Sequence, residues 1–174
     1  MEILGLDLSD DSLAGTPHRV AKMYVSEIFS GINPINKPVI RLFNNQYNYS
    51  EMLIEKNISF HSTCEHHFVP IYGKVHVAYF PADKVIGLSK INRIVRYVAQ
   101  RPQVQERLTI QIAEELQLGM NNQDIAVIVE ADHMCVHARG VKDESSNTIS
   151  AYYGGKFNNE AVKQELLKHI YHGV

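Results

Sequence analysis

Residues 125–136 read Ile125-Ala126-Val127-Ile128-Val129-Glu130-Ala131-Asp132-His133-Met134-Cys135-Val136, and this run is the strongest strand signal in the chain. Its β-branched residues favour a buried, extended backbone. A turn near residues 140–146 leads to a second predicted strand at residues 148–153, which would pair with the first as its antiparallel neighbour. Further strands are expected at residues 73–80, where Pro81 ends the run, at residues 52–61 and, as a short piece, at residues 39–43.

Apolar residues at helical spacing surround these strands and predict four helices. Thr16 and Pro17 are expected to be the cap and first residue of one helix, and Ser89 is expected to cap another. The expected core-facing positions of the last three helices are Ile91, Ile94, Val95 and Val98, then Val104, Leu108, Ile112 and Leu116, and finally Val162, Leu166, Leu167 and Ile170. This order of elements predicts an α+β fold in which an antiparallel sheet carries its helices on one face.

Length and composition indicate one globular domain spanning residues 1–174, with an N-terminal helical segment (1–31) and a sheet-and-helix catalytic core (32–174). The formal net charge is −2, so no nucleic-acid or membrane partner is expected and any anion site must be a local cluster. The N-terminus lacks the basic and apolar regions of a signal peptide, and no apolar run is long enough for a membrane span. We therefore expect a cytoplasmic protein.

Two cysteines and one histidine form a candidate metal site. Cys64 and His67 stand three residues apart in an expected turn, and Cys135 lies in the strongest strand, where His133 and His137 would point to the same side. If this strand runs beside the turn, three ligands converge and leave a fourth position open, which is the catalytic pattern of zinc. The spacing also fits two buried, inert cysteines or a disulfide pair.

Two further histidines flank the candidate ligands. His66 adjoins His67, and His133 stands two positions before Cys135. Either can face the metal without binding it, and histidine is the side chain best suited to proton transfer near neutral pH. Both are therefore candidate general acid–base residues.

A helix start offers a candidate anion site. Ser89 opens the helix, and Lys90 and Arg93 share one of its faces. Cations in a first helical turn oppose the helix dipole, so a bound polyphosphate would explain them, although a solvated basic face explains them equally well. Gln105 and Glu106 begin the next helix, where a glutamate is common because its charge interacts favourably with the helix dipole. Arg19 and Arg139 are two further cations in unremarkable contexts.

The chain resembles the GTP cyclohydrolase I family from about residue 10 to residue 170. The resemblance is carried by four segments, which are Cys64-Glu65-His66-His67-Phe68-Val69-Pro70, Gly87-Leu88-Ser89-Lys90-Ile91-Asn92-Arg93-Ile94-Val95, Gln100-Arg101-Pro102-Gln103-Val104-Gln105-Glu106-Arg107-Leu108-Thr109, and His133-Met134-Cys135 with Ala138-Arg139-Gly140. The first and third segments together are highly specific to that family.

The resemblance implies that the chain hydrolyses GTP at C8 of guanine, releases formate and forms 7,8-dihydroneopterin triphosphate, the first step towards folate and related pterins. It implies one zinc ion per subunit, held by Cys64, His67 and Cys135, which activates the attacking water. His66 and His133 would transfer protons. Ser89 would hold the ribose–phosphate region, and Gln105 and Glu106 would read the pyrimidine edge of guanine. The triphosphate would be bound by Lys90, Arg93, Arg19 and Arg139.

The family's fold is the tunnelling fold, in which subunits join their sheets into a ring and two rings stack into a homodecamer. The resemblance thus implies a homo-oligomer with sites between subunits. Family members often carry a longer N-terminal helical region before the segment numbered 5–15 here, so the resemblance implies either weaker ring-to-ring contacts or a naturally short form. Two other hypotheses remain, a non-catalytic nucleotide- or pterin-binding relative and a structural zinc module.

Overall fold

The computed structural model describes residues 1–172. The strands are β1 (Leu42–Asn44), β2 (Leu53–Cys64), β3 (Pro70–Tyr79), β4 (Lys84–Ile86), β5 (Pro102–Gln103), β6 (Ile125–His133) and β7 (Thr148–Tyr153). The helices are α1 (Thr16–Met23), α2 (Leu88–Ala99), α3 (Gln105–Met120), α4 (Met134–His137) and α5 (Glu160–Tyr171). The predicted helices and longer strands occur in the expected order, β4, β5 and α4 are additional elements, and the chain is of the α+β class.

A five-stranded sheet in the order β5-β2-β3-β6-β7 is the centre of the fold. The strands β2, β3, β6 and β7 pair antiparallel, as predicted, whereas the two-residue β5 pairs parallel with the end of β2. A separate ribbon joins β1 to β4, and its first strand lies at Leu42–Asn44 rather than at the expected residues 39–43. The predicted partner strand at residues 148–153 is confirmed as β7.

The two faces of the sheet are covered by different helices. Val75, Val77 and Val129 face the main core, which they share with α2 and α3, whereas Ala126 and Ile128 face the opposite side. On that side α5 packs through the predicted Val162, Leu166, Leu167 and Ile170. The expectation that all helices lie on one face is therefore wrong for α5. β6 is apolar on both faces, so both need a cover.

The helices α2 and α3 bury the predicted stripes. Ile94, Val95 and Val98 of α2 and Leu108, Ile112 and Leu116 of α3 are fully buried. The caps differ from prediction, because Gly15 and Gly87 precede α1 and α2 and neither Thr16 nor Ser89 makes a capping bond. Gly87 is extended at the start of α2, which therefore begins one residue before Ser89, whereas Gly15 already has a helical conformation and Thr16 is the first residue of α1.

The predicted strand at residues 125–136 is too long. β6 ends at His133, and the chain then turns into the one-turn helix α4, which contains Cys135 and His137. The expectation that these residues alternate with His133 along a strand is therefore wrong. Loss of sheet pairing explains the change, since β3 begins at Pro70 and its register with β6 ends at Ile71 and His133.

The N-terminal segment reaches the end of β2. After α1 the chain widens into a π-helical turn at Tyr24–Ile28, and Tyr24, Phe29 and Phe68 form a cluster with ring centroids 5.4–6.0 Å apart. The Tyr24 hydroxyl donates to the Phe68 carbonyl at 2.9 Å. This contact fixes the first part of the chain against the turn that follows β2.

None of the helices within residues 1–172 has the length and apolar character needed to cross a bilayer.

Candidate active site

Cys64, His67 and Cys135 converge, although they come from β2, a turn and α4. Their candidate ligand atoms all lie within 4.8 Å of one another, and Cys64 Sγ is 3.8 Å from His67 Nδ1. Two ligands on a tetrahedral zinc ion are separated by about 3.6 Å for sulfur and nitrogen, given the usual zinc–ligand bond lengths. The three groups therefore match a zinc site that needs little rearrangement.

Both cysteines are free thiols, so the disulfide alternative does not describe this structure. Burial, followed by the nearby Cys64, raises the pKa of the Cys135 thiol above its ordinary value. Two adjacent thiolates repel each other, and a divalent cation removes that repulsion. The donor set thus fits a metal ion that binds sulfur and nitrogen, and binding would release protons.

We name residues 64–68 the metal turn. The Phe68 N–H donates to the Cys64 carbonyl at 2.9 Å, and the Cys64 N–H donates to the Val69 carbonyl at 2.9 Å. Phe68 has a φ of 52°, a left-handed conformation that is uncommon outside glycine. The prediction of a turn here is confirmed, and its tight closure brings His67 back towards Cys64.

The two adjacent histidines differ in their surroundings. His66 Nδ1 is also 3.8 Å from Cys64 Sγ, but His66 does not belong to the group of three, and its side chain is 63% exposed. His67 Nε2 lies 3.3 Å from Arg139 Nη1. Because an arginine only donates, this contact makes Nε2 the acceptor, and a metal at Nδ1 would require Arg139 to turn away.

Gln105 holds His133 in one orientation. The buried Gln105 amide donates from Nε2 to the carbonyls of Val129 and Thr148 at 3.1 and 2.9 Å, which turns its Oε1 towards His133 Nε2 at 2.7 Å. His133 Nε2 must therefore carry the hydrogen, and Nδ1 is left as an acceptor in the neutral ring. Burial lowers the pKa of His133, so the ring is neutral at pH 7.

A small cavity joins these groups. It has a volume of about 260 Å³, and its lining includes Cys64, His66, Glu106, His133 and Cys135. Glu106 is exposed in the first turn of α3, and its charge acts on His133 from nearby. Gln105 also lines the cavity, but its amide is engaged in internal hydrogen bonds with Val129, Thr148 and His133.

Ser89, Lys90 and Arg93 lie away from this cavity. The end of α2 is anchored beside the metal turn, because Ser62 Oγ donates to the Ala99 carbonyl at 2.7 Å. Ser89 stands ten residues before Ala99, which is about 15 Å along a helix. Arg93 lines a different cavity of about 390 Å³. The structure thus separates the candidate phosphate site from the metal group within this chain.

The remaining cations also differ in placement. Arg19 Nη2 donates to the Ser12 carbonyl at 2.8 Å and to Thr16 Oγ1 at 2.6 Å, so its guanidinium is turned to its own segment. Arg139 alone of the four candidate cations contacts a member of the metal group in residues 1–172.

Sequence reasoning missed a set of residues that supports the metal turn. Glu65 pairs with Arg107 of α3, and Arg107 also contacts Gln103 and Pro102. These residues stand inside the segments quoted above, but no local spacing connects position 65 to position 107.

Comparisons with known proteins identify the family of the chain. The family model for GTP cyclohydrolase I matches residues 1–171. The chain is 55% identical over 170 residues to GTP cyclohydrolase 1 of Flavobacterium johnsoniae, a match that covers 98% of this chain and 76% of the relative. It is 53% identical over 173 residues to GTP cyclohydrolase 1 of Serratia proteamaculans, covering 99% and 78%.

Among solved structures, the archaeosine synthase QueF-Like in its apo form is similar at a TM-score of 0.47 and 15% identity, over 60% of this chain and 91% of that one. Because the family model matches residues 1–171 and both relatives are more than 50% identical, the chain is an enzyme that belongs to the GTP cyclohydrolase I family.

Proposed function

We propose that this chain is a zinc-dependent hydrolase that opens guanine of GTP at C8, releases formate and forms 7,8-dihydroneopterin triphosphate. The observation that carries the proposal is the convergence of Cys64, His67 and Cys135 within 4.8 Å. This group lies beside two further histidines in a chain of the GTP cyclohydrolase I family. A structural zinc site would use four protein ligands, whereas three leave a place for the reacting water.

Cys64, His67 and Cys135 would hold the zinc ion, which acidifies water to a pKa near 7 and so supplies the nucleophile for hydrolysis. Arg139 would then exchange its contact with His67 for a phosphate oxygen of the substrate. Because Arg139 is exposed and belongs to the loop after α4, its side chain has room to turn. Metal binding at His67 would thus release Arg139 for phosphate binding.

His133 is the group that we assign to proton acceptance. The Gln105 carbonyl holds its Nε2–H, so Nδ1 is the free base, and burial keeps the ring neutral. A neutral imidazole whose tautomer is fixed is ready to take a proton from water without reorganising first. His66, exposed at the cavity mouth, would deliver the proton to N7 of guanine, which makes C8 electrophilic.

Glu106 would select guanine. A carboxylate accepts two parallel donors, and guanine offers N1–H beside its exocyclic amine, whereas adenine lacks this pair. A site that depends on such bonds rejects the wrong base by about 10⁴-fold. Gln105 would act indirectly, through the orientation of His133, because its own amide is occupied.

The triphosphate would be bound by Ser89, Lys90 and Arg93 of a neighbouring subunit, with Arg19 and Arg139 as further cations. The cavity of about 260 Å³ is smaller than the roughly 300–1,000 Å³ of typical ligand sites. Ser89 also lies about 15 Å along α2 from the end nearest the metal turn. Both observations favour a site completed between subunits in a ring, where the outer edges of β2 and β7 join.

The decisive experiment is turnover of GTP by zinc-loaded protein, followed through the absorbance of the dihydropterin product and through formate release. Product that disappears on chelation and returns with zinc supports the proposal. GTP binding without product in metal-replete, assembled protein would favour the nucleotide-binding relative. Unfolding on chelation would favour the structural zinc module.

A further inference from the structure

Glu65 of the metal turn is bound on two sides by residues that do not belong to the cavity's reacting groups. Its backbone N–H donates to the Gln103 carbonyl at 3.0 Å. Its carboxylate forms an ion pair with the Arg107 guanidinium, which lowers the pKa of the Glu65 carboxyl. Glu65 stands between Cys64 and His66, so these contacts fix the backbone next to a metal ligand and a candidate acid.

Arg107 is itself held by a network that reaches into the core. Its Nε donates to Gln103 Oε1 at 2.9 Å and its Nη2 to the Pro102 carbonyl at 2.8 Å. The fully buried Gln103 amide donates to the Val98 carbonyl at 3.1 Å and to Gln111 Oε1 at 2.9 Å. The Arg107 guanidinium therefore links α3 to β5 and the metal turn, and the Gln103 amide extends this network to α2.

The metal turn depends on such a link because its histidines have few contacts of their own. His66 and His67 are exposed, so the backbone at Glu65 decides where their rings point. The side chains of Glu65 and Arg107 are 33% and 40% exposed, and such pairs add little to global stability. Removal of the residues that orient metal ligands, in contrast, commonly weakens metal binding by about 10–100-fold.

We propose that Arg107 is a positioning residue for the metal site, which acts through Glu65 to set the affinity for zinc. The proposal rests on the zinc site of the proposed function. Arginine is required because a planar fork binds Glu65, Gln103 and Pro102 at once, whereas the single ammonium of lysine cannot reproduce this geometry. Without Arg107 the Glu65 carboxylate is also free to turn towards His66, whose Nε2 lies 3.9 Å from it.

The test is the zinc dissociation constant of the full-length protein, measured by competition with a chromogenic chelator. We expect Arg107→Ala and Glu65→Gln to weaken zinc binding by about 10–100-fold each, and the double variant to be no weaker than the single ones, since both break one link. Arg107→Lys is expected to bind zinc more weakly than the parent. The thiolate-to-metal absorption of cobalt-loaded Arg107→Ala should differ from that of the parent.

Glu115→Gln is the matched control. Glu115 lies on α3, as Arg107 does, but eight residues further along, and it forms an ion pair with Lys37. It should bind zinc as the parent does. Parent-like zinc affinity in both Arg107→Ala and Glu65→Gln, or an equal loss in Glu115→Gln, overturns the proposal. If Arg107→Ala does not fold, Glu65→Gln decides alone. Absence of zinc binding by the parent would instead refute the proposed function.

Discussion

Gln105 contributes both to the stability of the core and to the orientation of His133, so its replacement should lower both the free energy of unfolding and the rate of catalysis. Gln105→Met keeps the length of the side chain but removes three hydrogen bonds, to Val129, Thr148 and His133. Each net bond contributes about 0.5–1.5 kcal/mol, so we expect a loss of about 2–4 kcal/mol in the free energy of unfolding. In a chain of this length that corresponds to a Tm decrease of about 5–15 °C.

The same change should reduce catalysis beyond its effect on stability. Without the Gln105 carbonyl, His133 is free to rotate and to carry its hydrogen on either nitrogen. A positioned acid–base residue contributes about 10²–10⁴-fold, so kcat should fall by at least about tenfold while KM for GTP changes little. The measurements are chemical denaturation at fixed protein concentration and steady-state formate release.

Gln117→Met is the matched control for this prediction. Gln117 is a second buried glutamine of α3, and its amide contacts Gln123 and Tyr152 away from the cavity. It should lose stability of a similar order and retain kcat. If Gln105→Met and Gln117→Met have the same kcat, the positioning of His133 by Gln105 is refuted, and Gln105 is only a core residue.

Three further predictions concern acidity, assembly and the metal. Burial lowers the pKa of His76 below 6.5, so the unfolded chain binds this proton more readily than the folded chain. The free energy of unfolding should therefore be full above about pH 6.5 and fall as the pH drops below it. His76→Gln should flatten this decline in a denaturation series, and an unchanged slope would contradict the assignment. Lys90→Ala and Cys135→Ser should each be inactive. Oligomers assembled from a mixture of the two variants should recover up to about one quarter of parental activity if each site combines two chains. No recovery would place the whole site in one chain. Chelation should abolish formate release, whereas the helical circular dichroism signal should remain because α2 and α3 pack on the sheet without the metal. Collapse of that signal would contradict a catalytic role of the metal.

Local pattern was sufficient for most elements. The stripe of Ile91, Ile94, Val95 and Val98 predicted α2, and the apolar run after Ile125 predicted β6, because helical and strand periodicities are properties of neighbouring residues. The end of β6 was missed, since the strand stops where its partner β3 stops, and that partner is more than fifty residues away in sequence. The side of the sheet that α5 covers was missed for a similar reason.

The sequence by itself determined the class of fold and the family resemblance, and it predicted a site for a metal that binds sulfur and nitrogen from the cysteine and histidine at positions 64, 67 and 135. Only the tertiary structure decided which atoms meet. Gln105 meets His133 and Arg107 meets Glu65 because the start of α3 lies beside β5 and the ends of β2 and β6, although these pairs are 28 and 42 residues apart. Such contacts depend on the paths of whole elements through space, and no short-range pattern along the chain encodes them.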